Sequence, residues 1–461
     1  MNILISPTNI AGLTLNEQEM LQDLIDVYNE HSVKNYEKEK YYEGKIALRD
    51  VNLGIALPDT LSRLEIGCAW GAKCVDVLAA RSMFDGFVTE NGEPDADLDD
   101  IVESNHLIAE YQKACRDELK TGCSFATLSA DPVTGVKIRF HSSRTAAAIW
   151  DGEKGRIKCG FAVIDTVPDD EENYVPSVIN LYTDEHIIVL VYNGYKWTAT
   201  RHAHKMARPL MEPIVYNPTS TKPFGQSRIK EPIRRLIQGY VRTVANATVG
   251  LEFATSPQKY LLGITDDQFD AVVNDKFRQY VGSILAATVN PETGEKPSFG
   301  QLSQGNITPH VSMLRMLATQ FSAATGLPVT DTGVVNDANP TSSDAIEAQT
   351  KTLVGLAEEL NESNGDALKT IGIMALAIKR NVSVDDLPDE QRNIIAHFKN
   401  PSMPSVASSA DAAIKIASVR EGFSQTDTFL EMIGFDQADI RRIKAQEQRT
   451  RGLAILDEVG S

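Results

Sequence analysis

Along the first part of the chain, apolar side chains recur at helical spacing. Over 16–45, Met20, Leu21, Leu24, Ile25 and Tyr28 lie three and four apart with charges on the other face, which predicts an amphipathic helix. The pairs Leu61/Leu64 and Val75/Leu78 extend a helical reading over 57–82, interrupted by Gly67 and Gly71. The run 85–105 carries eight acids and no base and reads as an exposed acidic loop. A helix over 105–121 follows, with Gly122 as its stop.

The period then changes to two. "CSFATLSA", "VKIRFHS", "AAAIWDG", "RIKCGFAVID", "SVINLYT", "HIIVLVYNG" and "YKWTATR" are short β-prone runs separated by Gly, Asp, Asn and Pro, and the Asn-Gly of "VYNGYKW" predicts a hairpin tip. Residues 1–220 therefore read as one α+β domain built on an antiparallel sheet. From Pro232 the stripe Ile233, Leu236, Ile237, Tyr240, Val241, Val244, Ala247, Leu251 restores the helical period. Residues 257–307 are mixed. A second helix starts at Thr308-Pro309 with Val311, Leu314, Leu317, Phe321 and Ala324 along one side. After the half-apolar loop "GLPVTDTGVVNDANPTSS", Thr341 and Asp344 open a third helix through Arg380, roughly 55 Å long if continuous. Ser363, Asn364 and Gly365 predict a kink near its middle. A short strand and further helices complete the chain.

Composition is that of a globular protein, 42% hydrophobic and 23% charged. No stretch approaches the roughly 20 apolar residues of a membrane span, and the first residues lack the basic start of a secretory signal. The five cysteines, Cys68, Cys74, Cys115, Cys123 and Cys159, form no C-x-x-C pair and read as buried reduced thiols. A net charge of −18 argues against a protein that grips DNA, because gripping needs bases to displace phosphate counterions. It does not argue against one that DNA must pass without sticking.

Catalytic chemistry is poorly represented. His202 and His204 point the same way on a predicted strand and would start a metal site, but no third ligand lies near them in sequence. Asp331, Asn336, Asp337 and Asp344 lack the spacing and closing Glu of a calcium loop. No phosphate-binding glycine loop, dinucleotide fingerprint or G-x-S-x-G elbow occurs.

Five stretches, in order, resemble the portal proteins of tailed bacteriophages with long non-contractile tails: "KYYEGK" at 40–45, "WGAKCVDVLAARSMFDGF", "KPFGQSRI" at 222–229, "LRMLATQFSAATGLP" with "NPTSSDAIEAQ", and "HFKNPSMPSVASSADAAIKI". The resemblance implies an α+β, portal-type fold in a ring-forming subunit. Its parts would be a wing at 1–224, stem helices near 225–256 and 308–326, a small α/β clip at 257–307, a tunnel loop at 327–341, a long kinked tunnel helix at 342–380 and a helical crown at 381–461.

It further implies a non-enzymatic ring, usually of twelve subunits, at one capsid vertex. Double-stranded DNA enters and leaves through its channel, without sequence specificity and without a cofactor or metal. Implied partners are other copies of the chain, the terminase large subunit, a head–tail adaptor, and the major capsid and scaffolding proteins. The implied location is the virion, with assembly in the host cytoplasm.

Channel-facing positions would be Val329, Thr330, Asp331, Thr332, Val334, Val335, Asn336, Asp337 and Asn339. From Thr325 to Ala348 there is no Lys or Arg to hold phosphate. The bases Arg228, Lys230, Arg234, Arg235 and Arg242 would pair with a neighbouring subunit or face DNA, and Glu292, Glu295, Lys296 and Phe299 would form the exposed docking end. Two other readings stay open: another virion component such as an adaptor or scaffold, and a metal-dependent hydrolase using His202 and His204.

Overall fold

The computed structural model describes residues 3, 5–46, 66–90, 95–168, 174–255, 259–262, 294, 298–301, 306–333, 343–402, 406–435, 439–440 and 442–450. Helix α1 (Leu15–Tyr42) begins at a reciprocal cap, in which Thr14 Oγ1 accepts from the Glu17 amide and the Glu17 carboxylate accepts from the Thr14 amide. Its buried face, Leu21, Leu24, Ile25 and Tyr28, lies on an antiparallel five-stranded sheet. That sheet runs β4 (Ala146–Asp151), β5 (Arg156–Pro168), β6 (Tyr174–Tyr182), β7 (His186–Tyr192) and β8 (Trp197–Ala203) in chain order. Phe161, Val163, Ile179, Leu181, Ile188 and Leu190 meet α1, as the period of two requires. The expected hairpin joins β7 to β8, where Asn193 Oδ1 accepts from the amides of Tyr195 and Lys196.

The alternate residues Ile157, Ala162, Tyr182 and Ile187 belong to a second, larger core. They face a three-stranded sheet ordered β3 (Gly135–Ser142), β2 (Cys123–Asp131), β9 (Met211–Val215). Strands β2 to β9 thus form two packed sheets rather than the single expected sheet. Gly160 makes the close approach possible, since a Cβ there would lie 2.4 Å from Met211 Sδ. Helices α2 (Trp70–Ala79) and α4 (Leu107–Thr121) complete this region; α4 stops at Gly122, φ +118°.

The described part of the acidic run 85–105 is not an exposed loop; 91–94 lie outside the described residues. It holds strand β1 (Phe84–Val88) and helix α3 (Ala96–Ser104), which buries Leu98 and Ile101 and is capped by the Asp95 carboxylate on the amides of Asp97 and Leu98. Two of its acids are paired from far along the chain: Asp97 with Arg380 at 2.7 Å and Asp100 with Lys379 at 2.5 Å.

Helices α5 (Glu231–Thr255) and α6 (Thr308–Thr325) pack together, Leu317 closing on the bare face of Gly239. Between them the short strands β10 (Lys259–Leu262) and β11 (Ser298–Gln301) pair antiparallel. Helix α7 (Ser343–Arg380) is helical throughout, 363–365 included, and lies against the three-stranded sheet. After the short α8 (Asp389–Arg392), β12 (Ile395–Phe398) pairs with β1, tying the chain's later part back to its start. Helices α9 (Val406–Val419) and α10 (Asp427–Ile433) follow. The larger core runs unbroken from Tyr41 to Ile394 and contains residues of α2, α4, α5, α6 and α7.

Candidate functional site

The loop between α6 and α7 starts in a built joint. Helix α6 ends at Thr325, whose hydroxyl donates to the Phe321 carbonyl at 2.7 Å, and Gly326 takes the left-handed conformation, φ +69°, that turns the chain. A Cβ at Gly326 would lie 2.9 Å from Leu356 and 3.2 Å from Thr352, so the turn sits against α7. Leu327 and Pro328 are buried, 329–332 form one 3-10 turn, and Gly333 follows at φ +80°.

Two side chains clasp this joint. Arg228 is only 7% exposed, and its guanidinium donates to the carbonyls of Cys74 in α2 and Thr325 in α6 and, at 3.0 Å, to the Tyr216 hydroxyl beside β9. A planar guanidinium spreads its donors over three nitrogens and so meets three separated acceptors, whereas the donors of a lysine all leave one nitrogen. Trp70, the first residue of α2, stands between Tyr240 of α5 and Phe321 of α6, each ring 4.7 Å away, and its indole N–H donates to the Thr332 carbonyl at 3.1 Å. Helices α2, α5 and α6 and the root of the loop are therefore held at one point. Burial pushes the Cys74 thiol up to about 12 and the Cys68 thiol up to about 11, so neither cysteine beside the joint is a nucleophile.

The expected channel positions divide here. Thr330 is exposed, and Val329 and Asp331 are half-buried. Thr332 is buried, its carbonyl accepting from Trp70 and its hydroxyl donating to the Val329 carbonyl. Val334, Val335, Asn336, Asp337 and Asn339 lie outside the described residues, as does Thr341.

The basic positions also divide. Arg228 is buried, and all three of its acceptors are inside its own chain. Arg234 lies over the Tyr41 ring and pairs with Glu37 at 2.7 Å and Glu231 at 2.6 Å. Arg235 pairs with Glu231 at 2.8 Å but leaves 72% of its side chain exposed; Lys230 and Arg242 are exposed too. Glu292, Glu295 and Lys296 lie outside the described residues, and Phe299 is in β11, opposite Leu261.

His202 is exposed on β8, while His204 is half-buried with Nε2 3.2 Å from the Thr183 carbonyl; burial lowers its pKa. Among the described residues no group of three His, Cys, Asp or Glu is arranged to hold a metal ion, and no helix is long and apolar enough to cross a membrane. The sequence reading missed the roles of Trp70, Tyr216 and Thr325. The one signal available was the tryptophan itself, an aromatic with a polar edge at the start of a helix.

No family model matches the chain. The portal protein of Mycobacterium phage L5 is 24% identical over 454 residues, covering 94% of this chain and 90% of the relative. The portal protein of Mycobacterium phage D29 is 22% identical over 449 residues, with the same coverage of each. Among solved structures, the neck of an empty GTA particle computed with C6 symmetry superposes at a TM-score of 0.45, with 13% identity over 77% of this chain and 87% of that one. The neck of the native GTA particle computed with C12 symmetry gives 0.43, with 11% identity over 79% and 89%. The resemblance carried by the five sequence stretches is thus borne out by similarity along nearly the whole chain.

Proposed function

We propose that this chain is a phage portal protein, the subunit of a ring that forms the DNA channel at one capsid vertex and connects head to tail. The observation that carries this reading is the extent of the match to the two mycobacteriophage portal proteins, 94% of this chain against 90% of each relative. A match of that extent runs through sheets, paired helices, loop and long helix alike.

On this reading the wing is 1–224, the stem is α5 with α6, the clip lies between them, the tunnel helix is α7 and the crown follows it. The loop from 327 to 341 faces the duplex. Its lack of Lys and Arg, in a subunit of net charge −18, leaves phosphate no counterion-displacing contact to hold, so DNA slides instead of adhering. The clip end, with Glu292, Glu295, Lys296 and Phe299, receives the terminase motor during packaging and the adaptor afterwards. The motor supplies ATP hydrolysis, and this chain supplies the conduit. The exposed bases Lys230, Arg235 and Arg242 face a neighbouring copy in the ring.

Negative-stain imaging of the purified full chain, paired with native mass, tests the reading. Closed rings with a central hole, most simply of twelve copies, are expected. A compact monomer or dimer that never closes, even with capsid and scaffolding proteins supplied, refutes it.

A further inference from the structure

Helix α7 carries a weak spot at mid-length, Ser363-Asn364-Gly365, where two small polar residues and a glycine lower helix propensity. The structure fills this spot with a buried polar chain. Asn364 is fully buried, and its side-chain amide donates to the Tyr111 hydroxyl at 2.8 Å and to Glu118 Oε1 at 2.7 Å. The Tyr111 hydroxyl shares a 2.7 Å hydrogen bond with Ser82 Oγ, and Ser363 Oγ donates to the Val215 carbonyl at 3.2 Å. Glu118, on α4, is also fully buried.

The Cys115 thiol is a weak donor to the Glu118 carboxyl, but Glu118 Oε2 and Asn364 Oδ1 are both buried and neither has an N–H or O–H donor. An ionised carboxylate brings acceptors only and leaves both orphaned. A neutral carboxylic acid brings one O–H, which is the donor this amide–carboxyl pair lacks. The ionisable groups around Glu118 supply no cation to hold it as an anion. They are Tyr111 and Cys115 on its own helix and Cys123 at the start of β2, and burial pushes all three upward, so they stay neutral. Helix α7 presents Asn364, which has no charge.

We propose that Glu118 is a neutral acid whose proton locks the midpoint of α7 onto α4, making this contact a pH-sensitive joint in the long helix. Burial supports it, pushing the Glu118 carboxyl from 4.5 up to about 8. The sign follows from linkage. The closed joint keeps its proton while an opened, solvated Glu118 loses one above about 4.5, so the lock is strongest in acid and weakens as pH rises. Above about 8 the closed form ionises too, and the proton's contribution is gone.

Hydrogen exchange of the assembled full chain, corrected for intrinsic rate, tests this at the amides of 360–368. Protection is expected to fall about tenfold per pH unit between pH 5 and 8 and then level off. In Glu118→Gln, whose amide supplies a permanent donor, protection should not change with pH. A second readout is spectroscopic, since a neutral carboxylic acid has its own infrared carbonyl band. That band should be present in the wild type at pH 7.5, fade above 8, vanish in Glu118→Gln and persist in Glu212→Gln. The last control matters because burial also pushes Glu212, which pairs with Arg208, up to about 7. A flat exchange profile in the wild type, the same slope in both proteins, or no band at neutral pH overturns the proposal.

Discussion

Arg228→Lys is the substitution that most directly tests the joint at the loop root. The guanidinium reaches the Cys74 carbonyl, the Thr325 carbonyl and the Tyr216 hydroxyl from one buried position. A lysine keeps the charge but brings a single ammonium on a flexible stem, which can meet one of these acceptors well. The others then lose a charge-assisted bond and stay buried. Two such losses at about 1–2 kcal/mol each, the lower part of the range for a buried unsatisfied group, should weaken the joint by about 2–4 kcal/mol. The assay is hydrogen exchange at two amides that report the joint from either side: Arg228, donating to the Leu119 carbonyl, and Gly326, donating to Ser322. Both should exchange on the order of thirty- to a thousandfold faster, at 1.36 kcal/mol per factor of ten. Arg235→Lys is the control, because its side chain is 72% exposed and its pair with Glu231 is worth little; both amides should keep their rates. If Arg228→Lys leaves both amides within about twofold of wild type (~0.4 kcal/mol), the three-way clasp carries no energy and the argument fails.

Further outcomes follow from the same geometry. Trp70→Phe keeps an aromatic ring between Tyr240 and Phe321 but removes the donor to Thr332, so the amides of Asp331 and Gly333 should lose about 1–3 kcal/mol of protection while those of α5 do not. Gly71→Ala places a Cβ 1.9 Å from the Tyr41 carbonyl, so soluble yield should collapse on expression at 37 °C, and normal yield with unchanged melting would refute that contact. Placing lysines at Val334 and Val335 gives the loop phosphate-binding charge. In a packaging assay this variant should translocate DNA more slowly, and most so at low salt, whereas wild-type rates at low salt would remove the low-adhesion argument.

Helices and strands were legible because their periods are local. Leu21, Leu24, Ile25 and Tyr28 announce α1, and the alternating Phe161 and Val163 announce a strand, before any partner is known. Gly122 stops α4 for reasons contained in its own backbone. The acidic run failed by the same logic. Its eight acids concealed Leu98 and Ile101 at helical spacing, and the bases that neutralise Asp97 and Asp100 come from Lys379 and Arg380, far away in sequence. A charge run looks solvated when its partners are on another element. The division of the strands into two sheets was likewise invisible, because the period of two says which face is apolar and not which layer covers it.

The candidate site illustrates the same limit more sharply. Arg228 sits in sequence among Lys230, Arg234 and Arg235 and shares their composition, yet it alone is buried with three acceptors drawn from α2, α6 and the end of β9. No local pattern separates a clasp from a surface base; only tertiary structure does. Thr332 differs from Thr330 in the same way, one held by Trp70 and the other exposed two residues earlier. The consequence is mechanical. The loop does not leave α6 at the glycine that ends the helix, because Gly326 is packed on α7 and the next turn is tied to α2. Load applied to residues beyond Gly333 would therefore reach α2, α5 and α6 through Trp70 and Arg228. Weakening either clasp should change how the subunit transmits force before it changes whether the subunit folds.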